Sequence, residues 1–394
     1  METLESTCLI CINFSPEISG CAPYNADLAQ LLVSEGKKVT VVTSFQHYPD
    51  WRIPDIYRKR LRESQTSLNL DIHRLRIYVP SKPSAIKRAL YEISFAIHAS
   101  YFLRKAHFDQ VVVVVPSLLS LIPGMILKRK GAKLKTLVQD IMSSSAIESE
   151  TLKIRSLNRY LLNLESFLLK RNDYIATISN EAKRKIVSDL GIDESKVVLS
   201  PNYSLIPKSK QNPDLDRHYF HLPASSRIVL YTGNFGRKQG LLNLIKAVKL
   251  LENRRPEILF LLVGNGIEGS IIFRESRLLS NILIRDFIED SLYASLLRTS
   301  DLLLVHELGS LKEMSFPSKL TSYFQAEKPI LVVCSKESAT YSAVSEHKLL
   351  YCEPDNPQAL ADYLANLDFK FEPKKYEFDT NEIRSRRMEW LKLS

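Results

Sequence analysis

Residues 227–248 read RIVLYTGNFGRKQGLLNLIKAV, and this stretch decides the fold. An apolar run without polar alternation closes on Gly233 and Gly236, two cations follow at Arg237 and Lys238, and a helix begins near Gly240. Runs rich in Val, Ile and Leu that do not alternate are what parallel strands covered on both faces look like. A strand passing through glycines into a helix is the unit of a doubly wound α/β domain.

The same alternation extends to both ends of the chain. EILFLLVGNG, NILIRDFI, DLLLVHE, PILVVCS and KLLYCEP follow it, and CLICINF, KKVTVVTS, DIHRLRIYV, VVVVV, KLKTLVQD and YIATIS precede it. Between Val198 and Arg227 the segment SPNYSLIPKSKQNPDLDRHYFHLPASS is rich in Pro, Ser and Asn and has no sustained period, so it reads as a linker. The expected organisation is a first domain over 1–200, a linker over 201–226, a second domain over 227–375, and a helix within 376–394 packing back on the first domain. Ligands of such sheets bind beyond the carboxyl ends of the strands, so two facing sheets put the active site in the cleft between them.

With 394 residues, 45% of them apolar and 25% charged, the chain is not disordered and gives each domain its own core. METLEST at the start carries two glutamates and no basic segment, so no signal peptide is expected and a cytosolic location is. The longest uncharged run, 111–127, is shorter than the ~20 residues of a spanning helix and is interrupted by Pro116 and Pro123. Five cysteines, four of them in or beside apolar runs, read as buried thiols in a reducing compartment. Cys8 and Cys11 lie three apart in a strand, on opposite faces, which disfavours a redox or metal pair.

Most of the net charge of +10 sits before residue 200, in YRKRLR (57–62), in 82–108 and in KRKGAKLK (128–135). Ile86, Leu90, Ile93, Ile97 and Tyr101 recur at spacings of three or four among Lys87, Arg88, Arg104 and Lys105, which makes an amphipathic helix. Either its apolar stripe packs on a sheet with solvated cations outside, or the basic helix faces an anionic membrane surface. Nucleic acid is not an expected partner, because aromatic and basic residues do not interleave on a recognisable binding module.

Four loops carry the chemistry. NFSPEISGCAPYNADLAQLL (13–32) passes through Gly20 into a helix near Tyr24, either a plain turn or a close backbone approach to a ligand. Gly233, Asn234 and Gly236 with Arg237 and Lys238 combine flexible backbone, two cations and a helix dipole in the outline of a phosphate cradle, without Walker or GxGxxG spacing. VGNG (263–266) adds a second glycine turn on the same rim. In HELGSLKEMSFPSKLTSYFQAEKPILVV (306–333), Ser315 to Ser318 lead into a helix starting near Pro317, with Lys319 in its first turn. A cation there opposes the helix dipole, and its presence is understood if an anion binds.

In SPEISG, YTGNFGRKQG, VGNG and SFPSKL, followed by a helix and the strand KPILV, the chain resembles the retaining GT-B glycosyltransferases of the group 1 family. HYPDW (47–51), RLRIYVPSKPSAIKRAL, VPSLLSLIPGM and LVQD are similar to its colanic-acid-type branch, which builds bacterial surface polysaccharides. The resemblance spans residues 8–367 and implies α/β GT-B architecture: two doubly wound Rossmann-like domains facing a central cleft.

It further implies that the second domain binds a UDP- or GDP-linked sugar as co-substrate, with no other cofactor and no metal, while the first binds a lipid-linked glycan acceptor. Gly233 and Asn234 then lie against the sugar or its phosphates, with Arg237 or Lys238 on the diphosphate. Gly264 and Asn265 line the nucleotide pocket, Phe287 and Ile288 border the base, and Gly20 approaches the diphosphate from the other domain. Phe316, Pro317, Ser318 and Leu320 complete the expected donor site, and Glu17, His47, Asp50, Trp51 and Asp140 form the expected acceptor side. The family's two glutamates, eight positions apart, are here Met314 and Ser322, with Glu313 a displaced candidate substitute, and the family glycine before KP is Glu327.

On this reading Arg237, Lys238 and Lys319 stabilise the departing diphosphate, which itself deprotonates the acceptor hydroxyl. The lone DxD string, Asp214-Leu215-Asp216, falls in the linker after Pro213 and suits a cap or solvent role. Two rival functions stay open: a nucleotide-sugar-binding subunit that has lost activity with the glutamate pair, and a nucleotide-sugar epimerase.

Overall fold

The computed structural model describes residues 4–17, 20–48, 50–82, 84–141, 155–205, 215–310, 318–372, 374–376 and 379–393. The chain divides into two compact units, Met1–Asn202 with Asn381–Ser394, and Tyr203–Thr380.

The first unit is built on the strands β1 (Ser6–Ile10), β2 (Lys38–Ser44), β3 (Arg62–Ser67), β4 (Leu70–Leu75), β5 (Gln110–Val115), β6 (Lys133–Val138), β7 (Tyr174–Thr177) and β8 (Val197–Leu199). They lie in the order β3-β4-β2-β1-β5-β6-β7-β8, parallel throughout except for β3, which runs antiparallel to β4. The helices α1 (Ala22–Ser34), α2 (Ala85–Leu103), α3 (Leu121–Lys128), α4 (Arg155–Leu169) and α5 (Asn180–Ser188) connect them. All six residues of β5 are buried, as its uniform valines require. The polar, mostly exposed β3 has no apolar pattern to announce it, and the sequence reading placed no strand there.

Helix α2 buries Tyr91, Phe95, Ala96, Ala99 and Leu103. The stripe from Ile86 to Tyr101 that was read as a candidate sheet-packing face points instead to solvent.

The second unit has six strands, β9 (Arg227–Thr232), β10 (Ile258–Val263), β11 (Ile282–Arg285), β12 (Leu302–His306), β13 (Ile330–Val333) and β14 (Leu350–Cys352), all parallel in the order β11-β10-β9-β12-β13-β14. Its helices are α6 (Leu241–Leu251), α7 (Gly269–Ser276), α8 (Asp290–Thr299), α9 (Ser318–Gln325), α10 (Ala339–His347) and α11 (Pro357–Ala365). Alternate residues feed two cores, one per sheet face: Val229, Tyr231, Phe260 and Leu262 in one, Ile228, Leu230, Leu259 and Leu261 in the other. Part of the expected linker belongs to this unit, since Phe220 and Leu222 pack into the second core and the Arg217 guanidinium reaches Asp301 at 2.5 Å. Asp216 accepts from the Tyr219 amide in a turn, and Asp214 lies outside the described residues.

The last helix, α12 (Thr380–Lys392), joins the first unit, with Trp390 and Leu391 in a core that includes Leu9, Val39 and Ala176. Lys135 Nζ donates to the Leu391 carbonyl at 2.7 Å, and Arg387 Nη2 donates to the carbonyls of Ser200 and Pro201 at 2.9 Å each. All five cysteines are free, and burial pushes the Cys8 and Cys11 thiols up, so they are inert at neutral pH. Among the described residues no helix is long and apolar enough to cross a membrane.

Glu327, between α9 and β13, holds a left-handed backbone with φ 54°, a conformation that costs a residue with a β-carbon about 1 kcal/mol. Glu327→Gly is therefore expected to stabilise the second unit by about 0.5 kcal/mol after the greater freedom of glycine in the unfolded chain is subtracted, as read from urea denaturation midpoints.

Candidate functional site

In the second unit β9 pairs with β10 on one side and β12 on the other, so the winding reverses there and leaves a crevice beyond the carboxyl ends of these strands. Three backbone segments are tied together at that rim. Gly233 N–H donates to the Val263 carbonyl at 2.9 Å, Phe235 N–H to Asn265 at 2.8 Å, Glu268 N–H to Phe235 at 2.9 Å and Leu308 N–H to Lys238 at 3.0 Å. Gly264 has φ 151°, and a β-carbon on it would stand 1.8 Å from the Gly233 carbonyl oxygen, so only glycine lets the two turns touch.

Lys319, in the first turn of α9, lays its ammonium 3.8 Å from the centre of the Tyr231 ring. The same nitrogen would lie 3.2 Å from a β-carbon on Gly233, so Lys319 and the glycine turn share one small space. Desolvation pulls its pKa down to about 7, opposed by the Glu307 carboxylate. Beneath it the Tyr231 hydroxyl donates to the Asn234 carbonyl at 2.9 Å, and Thr232 Oγ1 meets the Tyr293 and Tyr323 hydroxyls at 2.8 and 3.0 Å. This polar network fixes the end of β9 under the glycine turn.

The structure adds residues that sequence reasoning did not single out. His306 Nδ1 donates to the Gln239 carbonyl at 2.7 Å, and burial pulls the ring's pKa down to about 4, so it is neutral at physiological pH. Glu307, 6% exposed, accepts from Thr340 Oγ1 at 2.7 Å and Ser338 Oγ at 3.4 Å at the start of α10, where the helix dipole favours its charge. The signal was present in DLLLVHE, where two polar residues close an apolar strand at the switch point.

Other expected donor residues divide by exposure. Asn234, Asn265 and Ser318 are exposed on the rim and Lys238 is half-buried. Asn265 Nδ2 donates to Asp286 at 3.1 Å. Arg237 has an 85% exposed side chain facing Glu268 at 4.0 Å. Leu320 needs correction: it is fully buried in the core of the unit and presents nothing to a ligand. Ile288 is spent partly on the same core, and Phe287 beside it is half-buried. Glu313, Phe316 and Pro317 lie outside the described residues.

In the first unit β1 pairs with both β2 and β5, placing a second switch point at the loops after these strands. Glu17, 4% exposed, accepts the backbone N–H groups of His47 and Tyr48 at 2.8 and 3.0 Å and the Asn13 amide at 2.8 Å. His47, 2% exposed, places Nδ1 2.8 Å from the Phe45 carbonyl and Nε2 2.9 Å from the Tyr91 hydroxyl. These two residues, expected as acceptor contacts, are buried anchors that hold the loop. Trp51 sits in a left-handed backbone conformation with its ring 5.5 Å from Tyr91 and the Arg88 guanidinium 5.7 Å away. Trp51 and Asp140 are half-buried and Asp50 is exposed, so these three can meet a ligand. Gly20 turns with φ 65° against the Tyr48 ring.

Two doubly wound units in one chain, each with a crevice at its switch point, are the GT-B fold. Residues 19–203 match the glycosyl transferase 4-like domain and residues 226–367 match glycosyl transferases group 1. WcaI of Escherichia coli (strain K12), named as a colanic acid biosynthesis glycosyl transferase, is 30% identical over 328 residues, 79% of each chain. Among solved structures, sucrose-phosphate synthase from Thermosynechococcus elongatus superposes with a TM-score of 0.68 at 16% identity, over 98% of this chain and 94% of its own. Anabaena HepE in complex with UDP gives 0.65 at 14% identity, over 98% and 99% of the two chains. The chain belongs to the group 1 glycosyltransferases.

Proposed function

We propose that this glycosyltransferase moves a sugar, with retention and without a metal ion, from a UDP- or GDP-linked donor bound by the second unit. The acceptor is a lipid-linked or growing glycan bound by the first unit, and the product is a bacterial surface polysaccharide. The enzyme works in the cytoplasm, at the inner face of the membrane. The names of WcaI and of the HepE complex with UDP support this reading.

The observation that carries it is Lys319: an ammonium held in a desolvated pocket against Gly233, where its charge is costly until an anion arrives. A diphosphate at the rim supplies that anion. As the glycosidic bond breaks and charge grows on the leaving phosphate, Lys319 stabilises it from a fixed position, with Arg237 and Lys238 as further cations at the edge. The departing phosphate then takes the proton of the acceptor hydroxyl. Asp50 and Trp51, on a loop fixed by Glu17 and His47, orient that acceptor together with Asp140 after β6.

The test is incubation of the protein with radiolabelled UDP- and GDP-sugars and a bacterial lipid extract. The expected outcome is label in the lipid fraction, release of nucleoside diphosphate, and a product whose anomeric configuration matches the donor. Donor bound but never turned over with any acceptor identifies a binding subunit instead, and donor isomerised without acceptor identifies an epimerase.

A further inference from the structure

We infer that the outer face of α2 is a membrane-docking surface, whose apolar stripe enters the interface of an anionic bilayer while flanking cations hold the headgroups. The membrane location proposed above is the setting for this inference, which names the surface and the orientation.

Ile86, Leu90, Ile93, Ile97 and Tyr101 are 76, 48, 40, 59 and 66% exposed. At about 100° per residue they fall within about 80° of arc, a continuous line along the helix. The opposite face is the one that packs, through Tyr91, Phe95, Ala99 and Leu103, so the stripe is surplus to the fold. Isolated exposed apolar residues need no explanation, but five in register on one helix do.

The surroundings say what covers it. Lys87 and Lys105 lie about 100° round from Ile86, on one flank of the stripe, and Arg104 closes its end, all exposed. On that flank His98 Nδ1 bonds to the Arg76 carbonyl, and Arg76 Nη1 donates to the carbonyls of Tyr57 and Arg58. The basic turn YRKRLR, with Leu61 80% exposed, is thereby fastened beside α2. At the end of the stripe Lys130, just past α3, donates to the Arg104 and Ala106 carbonyls, whereas Lys128 is already paired with Asp173. An apolar line bordered by cations along one flank and at its end is complementary to acyl chains beneath phosphate headgroups, and a helix of this kind sinks its apolar face roughly 5–10 Å into that boundary. Buried against protein, the same cations would need carboxylates opposite them.

The docking face and the acceptor loop share this helix. Arg88 stacks on Trp51 and Tyr91 binds His47, both from the first two turns of α2. A bilayer held on the outer stripe therefore sits at a fixed distance from the loop proposed to take a lipid-linked acceptor.

The test is flotation with vesicles of equal parts phosphatidylglycerol and phosphatidylcholine, against vesicles of phosphatidylcholine alone. The native protein is expected to float with the anionic vesicles only. Ile86→Ser with Ile97→Ser is expected to weaken this about tenfold or more, and Lys87→Gln with Lys105→Gln about fivefold per residue at low salt. Both variants alter exposed positions and keep the native melting temperature and nucleotide-sugar binding, so loss of docking is separable from failure of the donor-site reading. Binding unaffected by the serine variant overturns the inference. So does equal flotation with neutral vesicles, or sedimentation as a dimer that the serine variant dissolves, which assigns the stripe to a second copy of the chain.

Discussion

Lys319→Met is expected to melt higher than the native chain at pH 6 while losing its nucleotide-sugar binding. Burial lowers the Lys319 pKa from 10.5 to about 7, so the unfolded chain keeps a proton that the folded chain releases between those values. Native stability therefore rises with pH across that window, and the cost of Lys319 is fully present below it. Methionine fills a similar volume without charge, and the variant should gain about 2 kcal/mol at pH 6, most of which disappears by pH 10. Calorimetric melting at the two pH values checks both the sign and the slope.

The same substitution removes the fixed cation of the donor site, with an expected loss of about 100-fold in affinity. In the native protein the affinity should fall as pH rises above about 7, because the free site loses the proton that the anion requires. A nucleotide sugar is the right probe, since both its phosphates are esterified, whereas a free nucleoside diphosphate has a terminal phosphate that titrates near 6.

Gly264→Ala has the second large effect. Its β-carbon would meet the Gly233 carbonyl oxygen at 1.8 Å and carbon at 2.9 Å, and backbone cannot swing aside as the end of a side chain can. The turn must open, which separates Gly233 from Lys319 and breaks the hydrogen bond from the Gly264 N–H to the Arg285 carbonyl. The expected cost is about 4 kcal/mol, with donor binding lost. Gly36→Ala is the control: it too has a positive φ, 75°, but nothing within 4 Å, and should cost about 1 kcal/mol. Urea denaturation of the two variants separates collision from backbone strain.

The fold was legible because parallel strands buried on both faces write themselves as unbroken apolar runs. VVVVV and ILFLLV became β5 and β10, buried at every position. β3 was illegible for the converse reason, being a polar edge strand that relies on its hairpin with β4. Phe220 and Leu222 were read as linker because two buried residues in an irregular segment make no period.

The site was legible where backbone chemistry announces it. Gly233, Gly264 and Lys319 could be named from glycines after strands and a cation at a helix start, and the structure brings them within one small space. It could not be seen that Leu320 turns inward, that Glu17 and His47 serve the loop, or that Glu307 and His306 border Lys319, because each depends on which strand neighbours which.

The most direct measurement is thermal unfolding of the native protein and Lys319→Met side by side with UDP-, GDP- and ADP-sugars at neutral pH. A ligand at a hundred times its dissociation constant adds about 2.7 kcal/mol. The account predicts that sugars of one nucleotide raise the native transition and stabilise the variant by no more than about 0.4 kcal/mol. A native transition that no nucleotide sugar shifts, or a variant that responds as the native protein does, contradicts it.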